Sequence, residues 1–141
     1  MDTTILALDI DAEADKLVEI LSTTEGMRSV WTSNCDVADG KARFGFAMAP
    51  VDLDCTVEVV DGKSVRYTVE SGFPFWNGSV FEWELGPALR AESGTNLLFR
   101  HRDFEDGYPE TDLAFTSQTW ALIQQTIKSH AEGGTPGPAL G

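Results

Sequence analysis

Basic residues are scarce in this 141-residue chain. It has 10 lysines and arginines against 23 aspartates and glutamates, which gives a formal net charge of −13 at pH 7. A surplus of negative charge this large repels phosphate backbones and anionic lipid surfaces. We therefore expect no nucleic-acid partner and no role at a membrane surface.

Long apolar runs are also missing, and cysteines are few. No stretch reaches the roughly 20 apolar residues that span a bilayer, because Asp9 and Asp11 interrupt the run that begins at Ile5. The first residues lack the basic segment of a secretory signal peptide. Cys35 and Cys55 are too few for a disulfide framework, so we expect reduced thiols, with one disulfide as the alternative. Together these features predict a cytoplasmic protein without membrane insertion.

The familiar catalytic and metal-binding motifs are absent. The sequence has no Gly-x-Ser-x-Gly elbow, no glycine-rich phosphate loop and no His-Glu-x-x-His. Its two histidines and two cysteines do not show zinc-ligand spacing. The acidic pairs Asp9/Asp11 and Asp52/Asp54 supply fewer ligands than calcium needs. We expect no metal and no cofactor, and an enzymatic role is not favoured.

What the chain does have is enough apolar material for one core. Hydrophobic residues make up 42% of it, and 14 residues are aromatic (8 Phe, 4 Trp and 2 Tyr). This content argues against intrinsic disorder, and the length suits one domain. We predict a single domain over residues 1–132, followed by a flexible tail over 133–141 that is rich in glycine and proline.

The pattern of apolar residues changes along the chain. Residues 3–10 alternate as a strand, Asp11 is a candidate N-cap, and helical spacing then predicts a helix that includes Leu17 and Leu21. A second short helix is predicted over 27–31. From 32 to 104, five runs alternate with period two, which indicates one antiparallel sheet with a buried and a wet face.

The turn at Asp61-Gly62 leaves two registers open. A two-residue loop pairs Val57 with Arg66 and places the apolar rows on opposite faces. An odd-length loop, or a bulge, pairs Val57 with Tyr67 instead and keeps the apolar rows together. Because a slip of one residue inverts every side chain, we predict the odd-length loop.

The last element is a long amphipathic helix over Thr111–Ala131. Its apolar residues recur at helical spacing: Leu113, Thr116, Trp120, Ile123, Ile127 and Ala131. The sheet is the only large apolar surface that this stripe can cover. The order of strand, two helices, about six further strands and a long helix defines an α+β fold.

Several segments in this order resemble the START-like (SRPBCC, helix-grip) superfamily. They are Thr23-Thr24-Glu25-Gly26-Met27 with Trp31, then Phe81-Glu82-Trp83-Glu84-Leu85, Gly94 to His101 with Phe104, and Trp120 on the last helix. Within the superfamily, the chain looks most like the branch named after the activator of the heat-shock-90 ATPase, which is close to polyketide-cyclase-like members. The resemblance covers nearly the whole chain.

The resemblance implies a curved sheet of about six or seven strands that grips the C-terminal helix, with a cavity between them. The expected cavity residues are Trp31, Phe44, Phe46, Tyr67, Phe81, Trp83, Phe99, His101, Trp120 and Ile123. In the segment Phe73-Pro74-Phe75-Trp76, Phe73, Phe75 and Trp76 are candidates for the cavity mouth, either exposed as an apolar patch or folded over the end of the sheet.

Three functions follow as hypotheses. The first is a protein that binds a small apolar or aromatic molecule, such as a lipid, with His101 and Tyr67 orienting the polar end of the ligand. The second is an interaction domain of the heat-shock-90 ATPase activator type, with a chaperone as its partner. The third is a cyclase or hydrolase that uses His101 as acid and base, although a buried structural histidine is the simpler interpretation. We expect a monomer or a weak dimer.

Overall fold

The computed structural model describes residues 3–135 and 137–141 and shows one sheet against one long helix. Strand β1 (Thr4–Ile10) is followed by helices α1 (Ala14–Ser22) and α2 (Thr24–Val30). Six further strands come next: β2 (Cys35–Ala38), β3 (Lys41–Phe46), β4 (Ala49–Val60), β5 (Ser64–Ser71), β6 (Val80–Pro87) and β7 (Thr95–Arg102). A short 3-10 helix, Pro74–Trp76, interrupts the link from β5 to β6, and helix α3 (Glu110–Ala131) is the last element.

The strands form a seven-stranded antiparallel sheet in the order β1-β7-β6-β5-β4-β3-β2. Each strand from β2 to β7 pairs with its neighbour in sequence, and β1 crosses to pair with β7. Helix α3 packs against the buried face of this sheet. The predicted α+β class, the curved antiparallel sheet and the long C-terminal helix are confirmed.

The register of the β4–β5 hairpin is also confirmed. Val57 pairs with Tyr67, and the strands join through the three residues between Val60 and Ser64. Asp61 takes φ 53°, a left-handed conformation that aspartate tolerates better than most side chains. The odd-length loop keeps Tyr67 fully buried on the face that meets the helices.

Both N-terminal helices begin at residues other than those predicted. Asp11 is not the N-cap of α1: its N–H donates to Glu132 Oε2 at 2.9 Å, and the helix begins at Ala14 after an uncapped Glu13. Helix α2 begins at Thr24 rather than near Met27, because the Thr23 side chain accepts the N–H of Gly26 at 3.1 Å. This cap comes directly after the end of α1 and starts α2 early.

The buried face is dominated by rings. The fully buried large side chains include Trp31, Phe44, Tyr67, Phe81, Trp83, Phe99 and Trp120. The Tyr67 and Phe81 rings stack with centroids 5.0 Å apart, and Phe99 meets Trp120 at 4.4 Å. Aromatic rings therefore supply much of the packing between the sheet and α3. Cys35 and Cys55 are both buried and free.

Two kinds of feature are absent from the described residues. Among residues 3–135 and 137–141, no helix combines the length and apolar character needed to cross a membrane. The same part of the chain has no group of three or more His, Cys, Asp or Glu side chains placed to hold a metal ion.

Candidate functional site

A cavity of about 550 Å³ lies at one end of the sheet, against the first half of α3. Its walls come from the 3-10 helix, the link between β7 and α3, the end of β3 and the chain after α2. The lining residues are Trp31, Phe46, Met48, Phe73, Pro74, Phe75, Trp76, Glu105, Asp106, Gly107, Tyr108, Pro109, Asp112, Phe115, Thr116, Thr119, Trp120, Ile123 and Leu140. This volume suits a small organic molecule.

The segment Phe73-Pro74-Phe75-Trp76 forms much of the cavity mouth. Pro74 begins the 3-10 helix, where its missing N–H costs no hydrogen bond. Trp76 turns inward and stacks on Trp120, with centroids 6.0 Å apart and ring planes 15° apart. Phe75 faces outward to Tyr108 at 5.1 Å. The segment is both a cover over the core, through Trp76, and a wall of the cavity, through Phe73 and Phe75.

Three tryptophans are fully buried, and they differ in whether the indole N–H has a hydrogen-bond acceptor. Trp83 Nε1 donates to Gln124 Oε1 at 2.8 Å, and Trp120 Nε1 donates to His101 Nδ1 at 3.0 Å. Trp31 is only 1% exposed, yet its Nε1 has no acceptor among the described residues. A buried donor without a partner costs on the order of 1–3 kcal/mol. Trp31 is also the one of these three tryptophans that lines the cavity without such a bond.

All the charged residues of the cavity lining are acidic. Glu105 and Asp106 lie in the exposed link before α3, and Asp112 lies half-buried in its first turn. No lysine, arginine or histidine of the described chain lines the cavity. The site therefore combines an aromatic interior with a negatively charged rim.

His101 lies beneath the cavity rather than in its wall. It is fully buried, and both ring nitrogens are engaged: Nδ1 with Trp120 and Nε2 with Ser79 Oγ at 2.8 Å. Because an indole N–H can only donate, Nδ1 must be the accepting nitrogen and Nε2 carries the proton. Burial lowers the pKa of His101 from 6.5 to about 3. The arrangement holds a neutral imidazole that positions Trp120.

The predicted cavity residues divide into two groups. The lining includes Trp31, Phe46, Trp120 and Ile123, together with the three mouth candidates Phe73, Phe75 and Trp76. Phe44, Tyr67, Phe81, Trp83, Phe99 and His101 do not line the cavity and belong to the core. Alternation assigns a side chain to a face of the sheet. It does not show where the rings on that face leave space.

Tyr67 shows how the core group is held. Its hydroxyl donates to the carbonyl of Leu21 at 2.5 Å, at the end of α1. Burial also raises the pKa of the Tyr67 hydroxyl, which keeps it protonated. This hydroxyl ties the sheet to α1 and is not available at the cavity.

The final residues contribute to the cavity as well. The N–H of Leu140 donates to the Trp31 carbonyl at 2.8 Å, and that of Ala139 donates to the Val30 carbonyl at 3.2 Å. Ser33 Oγ donates to the Gly141 carbonyl at 2.6 Å. These bonds place the Leu140 side chain in the cavity wall. Sequence reasoning assigned residues 133–141 to a flexible tail and gave Leu140 no role.

Other lining residues were also missed. Asp112, Phe115 and Thr119 follow one another at intervals of three and four residues on α3, and they form a second stripe beside the predicted one. That spacing was visible in the sequence. Met48 follows β3, is 70% exposed, and continues the alternating row of Phe44 and Phe46, but it was not among the predicted cavity residues.

Comparison with solved structures supports the fold. The chain is similar to the Aha1 dimer from Colwellia psychrerythraea, with TM-score 0.80, 23% identity, and coverage of 96% of this chain and 100% of the other. It is similar to protein SSP2350 from Staphylococcus saprophyticus, with TM-score 0.74, 17% identity, and coverage of 99% and 100%. DynU16, a protein in the dynemicin biosynthetic locus, matches with TM-score 0.71 and 16% identity over 96% of this chain and 49% of its own.

These likenesses identify the class of fold. The chain has the fold of the Aha1 structure, an antiparallel sheet against a long C-terminal helix, which is the fold that the helix-grip resemblance predicts. At 23% identity or less, they establish the fold and not a function. No protein-family model matches the chain, and no curated protein matches it.

Proposed function

We propose that the protein binds a small apolar or aromatic molecule in the cavity between the sheet and α3. Trp31 carries the proposal: its indole N–H is buried and unpaired in the wall of a 550 Å³ aromatic cavity. The N–H has almost no accessible surface, so a ligand oxygen or nitrogen would accept it only after a small shift of neighbouring side chains, and would then remove the cost of the unpaired donor. The rings of Trp76, Phe73 and Phe75 supply the apolar contacts.

A matched pair of ligands tests this role of Trp31. The probes are 2-acetylnaphthalene, which has a carbonyl acceptor, and 2-ethylnaphthalene, which has nearly the same shape without one. Isothermal titration is expected to show 1:1 binding of both, with the ketone about 3- to 10-fold tighter, as one net hydrogen bond allows. Trp31→Phe keeps an aromatic ring and removes the donor, so the preference for the ketone should disappear.

A second pair of variants tests the position of the site. Thr119→Trp places a large ring in the cavity wall and should abolish binding of both probes. Leu89→Trp makes a comparable change at a residue that is 75% exposed and outside the lining, and should leave binding intact. If neither probe binds saturably and neither raises the melting temperature, the ligand-binding proposal is wrong.

A protein partner is the second candidate function. Met48 and Phe115 line the cavity but are also 70% and 73% exposed, which leaves apolar surface at the mouth. The likeness to the Aha1 dimer favours a second copy of this chain as the partner. A chaperone of the heat-shock-90 type is the partner that the family resemblance implies. Sedimentation equilibrium of the wild type and of Met48→Ser/Phe115→Ser tests the first: a dimer that the double variant dissociates supports it, and a monomer at all concentrations rejects it.

A further inference from the structure

The charge around the cavity narrows the class of ligand. We propose that the molecule bound there carries a cationic group, such as a substituted ammonium, attached to an apolar or aromatic body. This inference rests on the ligand-binding function proposed above. It joins three features of one site, namely aromatic walls, a rim whose charged members are all acidic, and an unpaired buried donor.

The rim carboxylates are available to a ligand. In the described part of the chain, Glu105, Asp106 and Asp112 have no ion pair with a lysine, arginine or histidine within 4.0 Å. The acidic residues of the outer sheet face differ in this respect, since Glu82 is paired with both Arg66 and Arg102. The negative charge at the mouth is therefore not neutralised by a fixed partner.

The aromatic members of the mouth suit the same kind of ligand. Phe75 and Tyr108 lie 5.1 Å apart beside the acidic link, and Phe115 is on the facing turn of α3. The face of an aromatic ring is negative and attracts ammonium groups, and desolvation strengthens that attraction. An apolar body could enter the cavity while its cationic group stays at the mouth between rings and carboxylates.

The amino end of α3 is the one feature that favours an anion. A helix N-terminus carries about half a positive charge. Glu110 and Asp112 already place two full negative charges in that first turn, and Glu105 and Asp106 add two more just before it. The summed charge at the mouth is therefore negative, and this disfavours the binding of fatty acids and other carboxylates.

The third feature is the unpaired indole N–H of Trp31, a residue of the cavity lining. Trp31 is remote in sequence from the acidic rim, yet it lines the same cavity, and its buried N–H has no acceptor in the described part of the chain. The acidic cluster alone would be explained as a solvated surface that caps a helix. Its position around an aromatic cavity with an unpaired donor distinguishes it from such a surface.

Three naphthalene probes of similar shape test the inference: 2-naphthylmethyl-trimethylammonium, 2-naphthylacetate and neutral 2-ethylnaphthalene. At 20 mM salt we expect the cation to bind about tenfold more tightly than the neutral probe, and the anion more weakly than either. The quaternary ammonium does not titrate, so its charge is fixed. The preference for the cation should shrink at 0.5 M salt, where exposed charges are screened over a few ångströms.

Variants distinguish the effect of the rim carboxylates on cation affinity from the effect of the overall net charge of −13. Asp106→Asn and Asp112→Asn should each reduce the affinity for the cation about 3-fold, a larger loss than for the neutral probe. Asp61→Asn makes the same change of charge at the β4–β5 turn, outside the lining, and should leave all three affinities unchanged. Melting temperatures of the variants exclude loss of folding.

Two results would overturn the inference while leaving ligand binding intact. One is equal affinity for the cation and the anion alongside saturable binding of the neutral probe. The other is a loss of cation affinity in Asp61→Asn as large as in Asp112→Asn, which would assign the effect to net charge. Failure of all three probes to bind would instead reject the proposed function itself.

Discussion

The indole N–H of Trp120 donates to Nδ1 of His101 at 3.0 Å, and this bond fixes the protonation of a fully buried histidine. Nδ1 accepts, so Nε2 must carry the proton and donate it to Ser79 Oγ. A second proton on His101 would face the Trp120 N–H and lose this bond. The contact keeps Trp120, which lines the cavity, in a fixed orientation.

We predict that His101 stays neutral from pH 5 to 8. Burial lowers its pKa to about 3 from the ordinary 6.5. Histidine side-chain NMR signals followed against pH should show no titration of His101 in this range, and the His130→Gln variant assigns the remaining signal. A midpoint between pH 6 and 7 for His101 would contradict the buried network and would restore an acid–base role to this residue.

The same residue makes stability depend on pH. The unfolded state takes up a proton on His101 near pH 6.5, whereas the folded state resists protonation down to about pH 3. The free energy of unfolding is therefore highest, as far as His101 is concerned, above pH 6.5. It falls as the pH drops from 6.5 toward 3, by at most about 1.4 kcal/mol per pH unit. His101→Asn keeps an acceptor for Trp120 without this titration, so urea unfolding should show a shallower acid slope in the variant.

Asp9 gives a second acid-sensitive contact, toward the other end of the β1–β7 strand pair from His101. Its carboxylate accepts the backbone N–H groups of Leu89, Arg90 and Ala91 and the side chain of Asn96. The bonds to the backbone N–H groups of Leu89 and Arg90, followed by the bond from Asn96, lower its pKa well below 3.8. Since the folded-state pKa is depressed, this stabilisation is present above about pH 4 and is lost as the pH falls further.

We predict that Asp9→Asn loosens the link between β6 and β7. Only one amide oxygen remains to accept bonds that two carboxylate oxygens now share. The melting temperature at pH 7 should fall, and the difference from wild type should shrink toward pH 3. Hydrogen exchange should show faster exchange at Arg90 and Ala91 and unchanged exchange in β4. Asp11→Asn is the matched control, because only the backbone N–H of Asp11, and not its side chain, makes a described hydrogen bond to Glu132.

Gly26 explains part of the motif that carried the family resemblance. A Cβ at this position would collide with the backbone carbonyl and Cα of Ile20, where α2 crosses the end of α1. We predict that Gly26→Ala destabilises the fold by about 2–4 kcal/mol, because the backbone atoms that it meets cannot move aside without parting the helices. Gly62→Ala has open space around its Cβ and is the comparison. Gly62→Ala should destabilise the fold only through the positive φ at this position, and by less than Gly26→Ala.

The fold was more predictable than the site, for a physical reason. Period-two alternation places Tyr67, Trp83 and Phe99 on one face, and that single fact requires an element to cover them. The cavity depends instead on where the covering is incomplete. That depends on Trp76 turning inward over His101, on the acidic link that spans 103–109, and on the contact of Leu140 with the chain after α2. The aromatic segment Phe73-Pro74-Phe75-Trp76 was visible in the sequence, but its partner in the core was not, and neither the path of the acidic link nor the contact of Leu140 has a local signature.

Leu140 lies in the cavity wall because backbone bonds hold its segment beside Trp31. If this segment closes one side of the cavity, Leu140→Ala should speed the release of bound 2-acetylnaphthalene by about 3- to 10-fold and change its association rate less. Stopped-flow tryptophan fluorescence measures both rates. Leu122→Ala shortens an equally large side chain that is 50% exposed on α3 and outside the lining, and should leave both rates unchanged. Equal release rates for Leu140→Ala and wild type would show that the end of the chain borders the site without retaining the ligand.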